Sequence, residues 1–291
     1  MVDAGPLGSA TVVVTGLLAA LSFGLSDFGG GLTSRRASVL GVTLSVQSIG
    51  IVFALVIAVG VGEPLPSSDG LLTGILAGVA GVVGILGLYQ GLAVGRMGVV
   101  APVAGVLGAA IPVLIAFVSE GPPSLGVAIG MALALVAVVV VSRSPSVGAT
   151  RSGVEYAFVG GLGIGLINVL IGRLPAGLIW WPILVLKITA TVVIAALAVV
   201  VRQPVRIPRP VRPAILAIAV ADMSGNSFYV LATQTGRLDI AAVLSSLYPV
   251  VTVILAVLIL REHVSRRHAI GIAAAALAIA MIAAGTASPA A

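Results

Sequence analysis

Two stretches, LLTGILAGVAGVVGILGLYQGLAVGR at 71–96 and RPAILAIAVADMSGNSFYVLATQTGR at 212–237, decide the architecture. Each carries an apolar run long enough to cross roughly 30 Å of hydrocarbon, which takes about 20 residues in a helix that satisfies its own backbone hydrogen bonds. Each closes on Gly-Arg, and the shift that superimposes them is 141, with Leu88-Tyr89 near Tyr229 and Gly95-Arg96 on Gly236-Arg237. The same shift brings Glu120 against Arg261-Glu262, and one residue more sets Ser26 opposite Asn168.

Working outward, nine polar, basic or Pro/Gly-rich interruptions divide the 291 residues into ten apolar helices. They fall near Arg35-Arg36, Glu63 to Gly70, Gly95-Arg96, Glu120 to Ser124, Ser142 to Ser152, Arg173-Leu174-Pro175, Arg202 to Pro213, Gly236 to Asp239 and Arg261 to Arg267. The spans take up about 200 residues, too many to leave room for an extramembrane domain. The expected division is an N-terminal tail at 1–10, a first five-helix repeat at 11–142, a linker at 143–152, a second repeat at 153–285 and a tail at 286–291. Two like repeats of odd helix number must sit upside down relative to each other. The expected fold is therefore an all-α, polytopic membrane protein of two inverted five-helix repeats, with a site near the midplane between them.

Composition agrees. The chain is 59% hydrophobic and 8% charged, whereas a soluble domain needs about a quarter of its residues charged to keep its surface wet. With no cysteine, disulfides, thiol nucleophiles and iron–sulfur clusters are excluded. His263 and His268 stand in a charged turn without further ligands, so neither a metal nor another cofactor is expected. The net charge of +6 lies on arginines dispersed among short loops, which reads as membrane anchoring and not as nucleic-acid binding. No ATP-binding motif is present, so any transport draws on gradients. The first ten residues lack a basic region, and no cleavable signal peptide is expected.

Leu247-Tyr248-Pro249, the run to Leu260-Arg261-Glu262, and then Ser265 and Gly271 ahead of a small-residue helix resemble the last two helices of the EamA-type drug/metabolite transporter superfamily. The first half echoes this through Pro102, Pro112, Glu120 and Gly130, while the Trp-Gly that many members carry in the first helix is Phe23-Gly24 here. The resemblance implies a transporter, not an enzyme, exporting amino acids, other small metabolites or drugs across the cell membrane. It also implies cytoplasmic termini, and here the charges disagree. Loops after odd-numbered helices hold twelve arginines and those after even-numbered helices two. Basic loops stay cytoplasmic, which predicts both termini on the extracytoplasmic side.

Charges within spans cost roughly 3 kcal/mol each on insertion scales and need a reason to be there. Asp27 and Asp222 come out at one level, about 12 Å from the Arg35/Arg212 face, and are expected to line the path and bind a cation or a proton. For Asp27 the competing role is local: capping a helix unravelled at Gly29-Gly30-Gly31, or pairing with Arg35 or Arg36. Asp222, Asn226 and Tyr229 fall at i, i+4 and i+7 on one helix face. Lys187 and Asn168 come out nearer the opposite face, so no pairing with the aspartates is required; Lys187 either snorkels to the interface or attracts a carboxylate. Ser26, Gln90 and Tyr248 complete the candidate substrate- or proton-binding residues. Ser45, Gln47, Ser245 and Ser246 read equally as interhelical glue. Glu120 and Glu262 precede the fifth helix of each repeat and are expected to meet its positive N-terminus. The expected partners are a small-molecule substrate, membrane lipid and protons. The alternative is a lipid or lipid-linked carrier translocase using Lys187 beneath Trp180-Trp181 as a cationic headgroup site.

Overall fold

The computed structural model describes residues 6–95, 97–142, 153–174, 176–260 and 266–287. The 143–152 linker, the Arg96, Pro175, Glu262 and His263 readings and the outermost tail residues lie outside them. The described residues form eleven α-helices and no strand: α1 (Pro6–Ser34), α2 (Val39–Gly60), α3 (Ser68–Val94), α4 (Met97–Ser119), α5 (Leu125–Ser142), α6 (Val154–Gly172), α7 (Trp180–Val200), α8 (Arg212–Thr235), α9 (Leu238–Ser245), α10 (Tyr248–Leu260) and α11 (Arg266–Ala287). Six helices are long and apolar enough to cross a membrane, and the stretches Val103–Ser119, Leu125–Ala137 and Leu238–Thr252 are shorter. The protein is a multi-pass membrane protein.

The helix starts follow local chemistry. Ser38 and Ser67 accept from the backbone N–H groups of Gly41 and Gly70 at 3.1 and 3.3 Å, capping α2 and α3. Pro213 stands in the first turn of α8, where its missing N–H costs nothing. Where ten helices are expected there are eleven, because the ninth apolar run breaks at Ser246-Leu247 just before Pro249, which has no N–H to continue the ladder. By contrast α1 runs unbroken to Ser34 through Gly29-Gly30-Gly31. The expected unravelled end that Asp27 was to cap does not exist, and Arg35 and Arg36 are exposed.

Contacts between helices pair off when the halves are exchanged. α1 packs on α8 as α6 packs on α3, and α1 lies against α9 and α10 as α6 lies against α4. α2 meets α8 as α7 meets α3, while α2 with α7, α4 with α9 and α5 with α11 are their own counterparts. The α3–α6 seam is closed by glycine. A Cβ on Gly87 would sit 2.7 Å from the Gly160 nitrogen, so the two backbones touch directly, the kind of packing that lipid-immersed helices need. Gly161 and Gly165 on the next face of α6 receive Leu107 and Ile111 of α4. Outward-facing Val56, Val59, Leu114, Val192 and Val200 stay exposed because lipid is their solvent.

Candidate functional site

Where the halves meet, α1 to α4 and α6 to α10 surround a cavity of about 90 Å³. Its apolar walls include Phe23, Ile85, Leu88, Ile164 and Leu186; its polar groups are Asp27, Gln47, Asn168, Lys187, Asp222, Asn226, Ser245, Ser246 and Tyr248. Four wall pairs stand 141 positions apart: Phe23 with Ile164, Asp27 with Asn168, Gly81 with Asp222, and Ile85 with Asn226. Gln47 and Lys187 come from the corresponding helices α2 and α7. Asp27, not Ser26, is therefore the cavity counterpart of Asn168.

The deepest charges are paired. Lys187 is 1% exposed, and its Nζ donates to Asp222 Oδ2 in a buried ion pair. Of the two expectations for the lysine, snorkelling to an interface is corrected: Lys187 sits in the cavity wall and holds the Asp222 carboxylate, a pairing that helix counting did not require. Asn226 Nδ2 donates to the Asp222 carbonyl at 2.7 Å and to its Oδ1 at 3.3 Å, so both carboxylate oxygens have partners. The i, i+4 spacing on α8 brings these two together. Asp27, 6% exposed, has no hydrogen-bond or ion-pair partner among the described residues. Gln47 Oε1 is buried with none either.

The remaining candidates divide. Asn168 Nδ2 donates to Gly108 O at 3.4 Å, and Tyr248 OH donates to Ala101 O at 3.3 Å while its ring faces the cavity. Tyr229 is fully buried and donates to Asn168 O at 3.3 Å, bracing that helix from outside the cavity. Ser26 does not line the cavity; its hydroxyl meets Tyr89 OH at 3.3 Å, tying α1 to α3. Gln90 is half-buried and lies away from the cavity. Gln47, Ser245 and Ser246 reach the wall although single polar residues in an apolar span read equally as glue; the signal was their isolation, which does not say what they face.

Carboxylates outside the helices tie the halves together. Glu63 accepts from the backbone N–H groups of Ile179, Trp180 and Trp181 at 2.6 to 3.0 Å, and its carbonyl accepts from Trp181 Nε1 at 2.8 Å. It caps α7 from across the molecule, where the negative charge meets the helix's positive end. Glu120 serves another helix than expected: its Oε1 accepts from Leu238 N at 3.3 Å at the start of α9, not α5. Arg237 lies beside it, with Nε 3.9 Å from Glu120 Oε2, and binds Asp239 at 2.8 Å and the Gly121 carbonyl at 2.7 Å. Burial pushes the Glu120 carboxyl above its ordinary value, against the lowering effect of the Leu238 N–H and Arg237. The hydrogen bond to Asp239 leads the effects that raise Arg237.

Residues 151–284 match the model of the EamA-like transporter family. The match takes in the second half of the chain, which is similar to members of that family over those residues. The EamA-like transporter family is one of the drug/metabolite transporter type, and its members are membrane transporters, not enzymes. A solved crystal structure, described simply as that of a protein, covers 94% of this chain and 96% of its own at 15% identity with a TM-score of 0.72; at that identity the likeness is one of fold. No curated protein matches the chain. Within the EamA-like domain lie Lys187, Asp222 and Asn226, while the unpaired Asp27 and Gln47 come from the half before it.

Proposed function

We propose that the chain is a secondary active transporter that exports a small metabolite in exchange for protons, by rocking two inverted five-helix repeats about the central cavity. The observation that carries this reading is the cavity itself: repeat-related positions of both halves converge on one space that holds a buried carboxylate unpaired among the described residues. A buried anion without a partner is costly, and a proton or a cation relieves that cost. Asp27 is thus the group at which the two exchange, while Asp222 is held by Lys187 and Asn226 and supplies the fixed part of the wall. The exchange of equivalent helix contacts between halves supports the inverted arrangement, since two states of one symmetric scaffold open to opposite sides.

The domain division is a repeat at 11–142 and a second at 153–285, in a cell membrane, with both termini extracytoplasmic on the strength of twelve arginines against two. The lipid translocase alternative needed a free cationic site at Lys187, and that charge is occupied by Asp222.

Purified protein in vesicles holding a pH-sensitive dye tests the exchange. With a proton gradient imposed, a panel of amino acids, nucleobases, sugars and organic amines is added one at a time. At least one solute is expected to dissipate the gradient, and Asp27→Asn and Asp222→Asn are expected to abolish this while remaining folded. Solute flux indifferent to the gradient sinks proton coupling, and wild-type flux in Asp222→Asn removes that residue from the mechanism.

A further inference from the structure

The cavity walls sort by hydrogen-bonding capacity, and the sorting is one-sided. Lys187 Nζ donates to Asp222, and Asn226 Nδ2 donates to the same residue. Asn168 Nδ2 donates to Gly108 O at 3.4 Å. The hydroxyls of Ser245 and Ser246 donate to the carbonyls of Ala242 and Val243 at 3.0 and 2.7 Å, and Tyr248 OH donates to Ala101 O. Apart from the Gln47 amide, each side-chain donor group on the polar wall has a protein acceptor for at least one of its N–H or O–H groups, the Lys187 ammonium through its ion pair. The acceptors are not so committed. The Asp27 carboxylate is unpartnered among the described residues, and Gln47 Oε1 is buried without a donor; the two residues are only 6% and 5% exposed. Buried acceptors without donors are the costly exception in a folded protein, and a ligand that donates removes that cost. The formal charges of Asp27, Asp222 and Lys187 add to minus one.

We infer that the cavity is built for a small primary ammonium ion, a monocation that brings N–H donors and carries no carboxylate. This rests on the reading of the cavity as the substrate site, and it narrows the substrate class. An ammonium neutralises the wall and donates to Asp27 and Gln47 at once. A carboxylate in the same space meets an unpaired Asp27, and the one cation there, Lys187, is already held by Asp222. The cavity of about 90 Å³ is small, which suits an amine of a few heavy atoms.

Isothermal titration calorimetry of the full chain in detergent, with no gradient, tests this using n-propylammonium, 2-aminobutyrate, butyrate, tetramethylammonium and glycerophosphoethanolamine. n-Propylammonium is expected to bind, with affinity falling tenfold or more in Asp27→Asn and severalfold in Gln47→Met. Tetramethylammonium has the charge but no N–H group, so it is expected to bind more weakly and to be indifferent to Gln47→Met. Should Asp27→Asn fail to fold, that contrast at Gln47 carries the test. Binding of butyrate, 2-aminobutyrate or glycerophosphoethanolamine as tight as that of n-propylammonium overturns the proposal, the last by giving the site to a lipid headgroup. Equal n-propylammonium affinity in wild type and folded Asp27→Asn, or no binding of n-propylammonium to wild type, also overturns it. The outcome is separable from transport: a bound amine with no proton-coupled flux sinks the exchange reading alone, and flux of a carboxylated solute with no amine bound sinks the ammonium site alone.

Discussion

Gly81 and Ile85 of α3 occupy the same wall positions as Asp222 and Asn226 of α8, 141 residues on, yet one helix presents no polar side chain and the other a carboxylate held by an amide and a lysine. The neighbouring helices reverse the assignment. α1 and α2 supply the Asp27 carboxylate and the Gln47 Oε1 without partners among the described residues, where α6 and α7 supply an Asn168 bonded to the backbone and a Lys187 bonded to Asp222. A duplicated scaffold needs the two halves to pack alike, but it does not need them to be polar alike. One half has its charges satisfied from within and acts as a fixed wall; the other is left short of donors and is the side that a proton or ligand completes.

The sharpest way to break this comparison is to remove the lysine. In Lys187→Met the Asp222 carboxylate loses its cation in a site shielded from water, and a cost of about 3–5 kcal/mol is expected for stranding one member of a buried pair. The double variant Lys187→Met/Asp222→Asn removes both charges and is expected to recover most of that loss. Unfolding of the purified variants in detergent measures both. A single-variant loss under about 1 kcal/mol would mean that Asp222 stands neutral without its lysine, and the fixed wall would then be as ready to take a proton as Asp27.

The second comparison is between seams. Gly87 of α3 meets the Gly160 backbone, with 2.7 Å left for a Cβ, so Gly87→Ala must push two helices apart. In the corresponding α1–α8 seam, a Cβ on Gly29 would meet the side chain of Ile218 at 2.8 Å, and a side chain can turn aside where a backbone cannot. Gly87→Ala is expected to cost about 1–3 kcal/mol as overpacking. Gly29→Ala is expected to cost less, because the Ile218 side chain can shift and the gain in helix propensity of about 1 kcal/mol, common to both variants, then offsets a smaller strain. Equal shifts in melting temperature would show that both seams yield in the same way.

How much of this was legible in the sequence follows from which distances are local. Apolar runs and glycine spacing are local, and they placed the helices; Asp222 and Asn226 were legible as one polar face because both lie on one helix at i and i+4. The ion pair was not legible. Counting 1.5 Å per residue puts Lys187 about 10 Å in from the Trp180 end of α7 and Asp222 about 12 Å in from the Arg35/Arg212 face. Such counting ignores helix tilt and the reach of a four-carbon side chain, which together close the gap. Likewise no spacing ties Glu63 to the start of α7, 116 to 118 residues away, or Glu120 to Leu238, 118 residues away. Each of these contacts exists because the two halves dock, and docking geometry is written in packing, not in the local pattern. The break at Ser246-Leu247 was half legible: a proline at 249 kinks or ends a helix, but whether the run bends or divides depends on what surrounds it.

The smallest expected effect concerns the clasps between the halves. Glu120 sits in the α4–α5 turn, partly covered, with its carboxyl raised mainly by burial. A carboxyl that binds its proton more tightly in the folded than in the unfolded chain makes the folded state the better proton binder in the interval between the two values. Stability must then fall as pH rises through that interval, with the contribution full below the unfolded value, near 4.3, and gone above the raised one. The Leu238 N–H and Arg237 beside the carboxylate keep the net shift small, and at a half-exposed site the loss stays below about 1 kcal/mol. Glu120→Gln is expected to flatten this part of the stability–pH curve without moving the rest. If the curve of Glu120→Gln instead matches wild type from pH 4 to 7, burial at the turn is not what governs the carboxyl, and the clasp is held by Arg237 and Asp239 alone.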